Sequence, residues 1–177
     1  MRTRAIASRA PSRRATALLL LSGGATLTAL AAWLIVARQP RLGGLAAAGA
    51  GVLLLTGSAV AARDGRLAGF VASVTDRAFD GLVLSAIAWT ERTGDPAASA
   101  GALVALAASF LAAYVRARGQ SLAYVVEEGA PARALRYGLV SAGLLTGWVA
   151  GAVWTTAALA ALTAAIRALQ VAKEEQA

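Results

Sequence analysis

Long apolar blocks, each near the length of a membrane span and parted by short arginine-bearing connectors, limit what this chain can become. A helix needs about 20 apolar residues to cross the roughly 30 Å hydrocarbon core. The blocks are Ala15–Ala37, Leu42–Ala62, Leu67–Trp89, Ala97–Val115 and a longer run, Leu135–Ile166. As one helix the last would extend roughly 45 Å, too far for the core without severe tilt. It therefore divides into two helices at a turn near Gly147–Gly151. The expectation is an all-α integral membrane protein, with six transmembrane helices around a polar, cytoplasm-facing cavity.

Composition agrees. Of 177 residues, 58% are hydrophobic, against about 45–50% in soluble domains. Cys and His are both absent, which removes disulfides, thiolate or imidazole metal sites and His-based acid/base chemistry. A metal would need carboxylates, and the chain has nine. The formal charge of +8 points to membrane orientation and anionic headgroups; no soluble basic domain exists to serve nucleic acid.

Charge placement orients the spans. With six helices and the N-terminus inside, residues 1–14, 63–66, 116–136 and 167–177 face the cytoplasm and hold thirteen of the seventeen basic residues. The outer connectors hold Arg38, Arg41 and Arg92, so the bias follows the positive-inside rule. Five spans would place Arg167 and Lys173 outside. The plan is thus a basic tail (1–14), a six-helix membrane domain (15–169) and a second cytoplasmic tail (170–177), in a cell inner membrane. Arg13-Arg14 before a leucine run resembles a twin-arginine signal, but the apolar stretch is too long for one and membrane follows it.

Ionisable groups inside a membrane helix are costly and point to function. The third block holds Asp76, Arg77 and Asp80. The two aspartates, at i and i+4, share one helix face; Arg77 is displaced by about 100°. They define either a polar site or a structural ion-pair cluster in which an aspartate meets Arg116 or Arg118. Arg116, Arg118, Arg133 and Arg136 flank the long polar segment. They suit a phosphate site, because guanidinium forks match phosphate oxygens, or they are anchors snorkelling to headgroups.

Three stretches, in order and at matching spacing, carry a resemblance: Val71–Gly81 with its Asp76-Arg77-x-x-Asp80-Gly81, Ala113–Gln120, and Gly129–Arg136 with its Arg133-x-x-Arg136. Together they resemble the LDSxxDRxxDG, SYxKARAE and GxxERxxR stretches of the CDP-alcohol phosphatidyltransferase family, in its actinobacterial phosphatidylinositol phosphate synthase branch. The resemblance covers about residues 45 to 170. It implies six membrane helices, a dimer, a place in phospholipid biosynthesis, and a phosphorylated alcohol acceptor held by Arg116, Arg118, Arg133 and Arg136. The family's DxxDGxxAR and GxxxDxxxD carboxylates hold two divalent cations, Mg²⁺ or Mn²⁺, on the CDP diphosphate.

The departures from that pattern are large. Ala62-Arg63 matches the motif's AR pair, so Leu55 and Ser58 stand where its first two aspartates belong. In the register that fits best, Ala72 replaces the third carboxylate and Asp76 is a vestigial fourth. In the other register Asp76 and Asp80 are the third and fourth. Either way at least two of four metal ligands are missing, and the metal ions are not expected to bind. The reading is a divergent relative without independent transferase activity, a partner or regulator that forms a homodimer or pairs with an active relative among membrane lipids. The alternative is a working phosphatidyltransferase that completes its metal site otherwise. An unrelated small transporter would leave the three ordered stretches as coincidence.

Overall fold

The computed structural model describes residues 12–63, 65–124 and 130–174. The expectations for residues 1–11, Asp64, the Glu127-Glu128-Gly129 stretch and residues 175–177 lie outside them. The described residues form helices joined by turns, in six rods. These are α1 (Arg13–Val36), α2 (Pro40–Ala61), a composite third rod, α5 (Pro96–Ser121), α6 (Ala130–Thr146) and α7 (Val149–Glu174). The third rod is built from α3 (Arg66–Phe79), one five-residue π-helical turn (Asp80–Leu84) and α4 (Ser85–Glu91).

Four of the helices, α1, α2, α5 and α7, are long and apolar enough to cross a membrane. The third rod is interrupted and carries the charges, while α6 has 17 residues, at the short edge of the spanning range. Prolines at Pro40 and Pro96 open α2 and α5, where a missing N–H costs nothing. Asp95 caps α5 through the Ala98 N–H at 3.0 Å. The final apolar run does divide, at Gly147, whose φ of +82° ends α6 in a left-handed residue. Three boundaries move most: α5 continues past Val115 to Ser121, α6 begins at Ala130 rather than Leu135, and α7 runs beyond residue 169 to Glu174.

Small residues set the packing. On α1 the buried positions are Ala17, Leu21, Gly24, Thr28, Ala31 and Ile35, a seam recurring every three to four residues. On α2 they fall on two faces. Gly43 lies against Ala31 and Ile35 of α1, and Gly57 against Leu21. Gly44 and Gly51 turn instead to α6, where they meet Leu144 and the Tyr137 ring. Lipid tails are as apolar as leucine, so close backbone approach through small residues supplies the attraction between such helices. A second pair forms where Gly101 of α5 receives Val153 and Trp154 of α7, and the Trp154 indole donates to the Ala97 carbonyl at 3.1 Å.

Candidate anion-binding site

Asp76 and Asp80 sit at the heart of the bundle, 6% and 1% exposed. Buried carboxylates need paired charge or hydrogen bonds, and here every carboxylate oxygen has a cationic neighbour. Arg136 Nη2 lies 3.2 Å from Asp76 Oδ1, and its Nε lies 2.9 Å from Asp80 Oδ1. Arg77 pairs with Asp76 Oδ2 and places Nη1 3.0 Å from Asp80 Oδ2. The same Nη1 donates to the Ser109 carbonyl at 2.9 Å, tying α3 to α5. The Tyr137 hydroxyl donates to Asp76 Oδ1.

Local sequence explains this placement. The i, i+4 spacing puts both aspartates on the face of the third rod that looks inward. Gly51 leaves room on α2 for the Tyr137 ring, which also meets Phe79 at a centroid distance of 4.3 Å. Seating that ring brings Tyr137 and its neighbour Arg136 against Asp76, sixty positions earlier in the chain. The aspartates therefore do pair with arginines, but through Arg77 and Arg136. Neither Arg116 nor Arg118 is that partner, because the face of α6 packed against Gly51 carries Arg136 and Tyr137 to the aspartates.

Above the ion pairs opens a cleft of about 650 Å³. It lies at the end of the bundle where α2, α5 and α7 finish and α3 and α6 begin. Six guanidiniums line it, from Arg66, Arg77, Arg116, Arg133, Arg136 and Arg167. Arg167 reaches across from α7 to donate to the Ala112 carbonyl at 2.8 Å. Of the four arginines singled out from sequence, three line the cleft. The fourth, Arg118, is exposed on the far side of α5 and is not part of the lining. Asp76 lines the cleft and Asp80 lies beneath it. Arg66, Arg77 and Arg167 were not chosen from sequence as ligand-binding residues. The first and last read there as orientation charges, although Arg167 was legible as the cation closing the last apolar run.

The donor set does not suit a divalent cation. Mg²⁺ takes octahedral oxygen ligands and is held through carboxylates plus substrate phosphates. Among the described residues no three carboxylates cluster. Ser58 and Ala72 line the cleft where the motif would have carboxylates, and the oxygens of Asp76 and Asp80 already face guanidinium.

No protein-family model matches the sequence, and no curated protein matches it. The fold is that of phosphatidylinositol phosphate synthase, a CDP-alcohol phosphatidyltransferase. The likeness is to the synthase of Mycobacterium tuberculosis in three crystal structures. In apo form the TM-score is 0.73 at 17% identity, over 91% of this chain and 89% of that one. With CDP-DAG bound it is 0.66 at 16%, over 91% and 86%. In complex with manganese and citrate it is 0.67 at 16%, over 91% and 82%.

Proposed function

We propose that this chain is a divergent CDP-alcohol phosphatidyltransferase of phospholipid biosynthesis that no longer transfers a phosphatidyl group itself. In this reading it acts as a partner or regulator, as a homodimer or beside an active relative. The observation that carries the reading is the engagement of Asp76 and Asp80 by Arg77 and Arg136 inside a six-arginine cleft. Two metal ions neutralising a diphosphate leaving group need shared carboxylate ligands, and this cleft offers guanidinium where those ligands belong. The cleft's arginines would hold a phosphorylated alcohol or a lipid phosphate. A transferase assay on purified protein, with CDP-diacylglycerol, inositol phosphate and either Mg²⁺ or Mn²⁺, should give no product above background. Metal-dependent turnover abolished by Asp76→Asn would overturn the reading. The alternative, an active phosphatidyltransferase, is favoured by the fold shared with a synthase crystallised with CDP-DAG and with manganese.

The same reading includes six spans, an inner-membrane location, both termini in the cytoplasm and a cleft open to that side. It rests on the even number of rods among the described residues and on the thirteen basic residues that the sequence assigns to the cytoplasmic segments. Reporter tags at residues 1 and 177 should both report cytoplasm, and one near Gly94 the outside. A C-terminal tag reporting outside would remove the six-span topology.

A further inference from the structure

We infer that the cleft takes a phosphate- or diphosphate-class anion through guanidinium charge alone, without a divalent cation. The inference rests on the proposed loss of the metal site and names how the remaining site works. Leaving Arg116 aside, the described residues of the cleft and its floor set five guanidiniums against two carboxylates, so an anion is attracted whether or not metal is present. Arg77 and Arg136 engage the carboxylate oxygens that a cation would require. Arg66, Arg133 and Arg167 enter from α3, α6 and α7, so their charges converge from three sides. Guanidinium forks bind phosphate oxygens with two parallel N–H donors, and Arg stays charged at any working pH. A cation would reverse the logic of the site, because it would have to displace two arginines from buried carboxylates.

Isothermal titration of inorganic pyrophosphate into the full-length, detergent-solubilised protein tests this, once in EDTA and once in Mg²⁺. A parallel arm titrates nanodiscs containing phosphatidic acid, so that heat in one arm or the other separates a soluble anion from a lipid headgroup. Binding in EDTA is expected in at least one arm. Pyrophosphate should bind no more tightly in Mg²⁺, which competes for the ligand. Arg133→Gln and Arg167→Gln should each weaken binding about ten- to a hundredfold. Asp80→Asn, which releases guanidinium toward the cleft, should strengthen it. A binding site that appears only with Mg²⁺ or Mn²⁺, or that Asp80→Asn abolishes in folded protein, would overturn the inference. So would an absence of binding in both arms. These outcomes are distinct from those of the transferase assay: turnover would sink the loss of activity, whereas metal-dependent binding without turnover would sink only this inference.

Discussion

Arg136→Met is expected to lower the thermal midpoint of the detergent-solubilised protein by roughly 6–20 °C, the largest single-residue effect anticipated here. Removing one partner of a buried ion pair costs about 3–5 kcal/mol because the other charge is left uncompensated. For a chain of this size each kcal/mol moves the midpoint by about 2–4 °C. Arg136 is suited to show the effect, since its side chain is 12% exposed and its guanidinium touches both Asp76 and Asp80. Arg118→Gln, at an exposed position on α5, is the matched control and should leave the midpoint unchanged. Pairing Arg136→Met with Asp80→Asn should recover part of the loss, because the double variant no longer strands a charge. Equal midpoints for Arg136→Met and Arg118→Gln would mean that the cluster does not hold the bundle together.

Gly143→Val should separate α6 from α7. A Cβ at Gly143 would overlap the Ala152 Cβ and stand 3.2 Å from the Trp148 carbonyl oxygen. Neither neighbour can swing aside, since one is a methyl fixed to its helix and the other is backbone. Overpacking of this kind costs about 1–3 kcal/mol, sometimes more, or roughly 2–12 °C in the midpoint. Because α6 also carries Arg133, Arg136 and Tyr137, the displacement should weaken anion binding at the opposite end of that helix. Gly138→Ala lies on the same helix with open space around it and should be neutral or slightly stabilising. If the two variants behave alike in scanning calorimetry, contact at Gly143 does not limit how close the helices come.

Much of the architecture was legible because a bilayer imposes length on every apolar block. Breaks such as Arg38–Arg41 and Gly147 are short and chemically distinct. Hydropathy reports contact with lipid, however, and not where a helix stops. Arg116, Arg118 and Gln120 ended the apolar block but did not end α5, since Arg and Gln are good helix formers. The ion-pair partners were less accessible. Nothing in the local sequence around Asp76 distinguishes Arg136 from Arg116 as its mate. That choice depends on which face of α6 meets α2, and the missing side chain of Gly51 sets it. The motif spacing did bring Arg116, Arg133 and Arg136 to one cleft. It could not show that Arg66 and Arg167 would join them, because an arginine at the end of a block reads equally well as an anchor.

The π turn at Asp80–Leu84 affects how the chain can be aligned with its relatives. A single π turn in an α-helix accommodates one residue more than regular winding needs. A relative with one fewer residue there could keep α3, α4 and the rest of the bundle in phase. The count of residues from Asp80 to the Ala113–Gln120 stretch is therefore not a conserved ruler in such a fold. An ungapped pattern joining the two stretches would miss relatives whose three-dimensional frame is the same, and a useful one must allow an indel of one at residues 80–84.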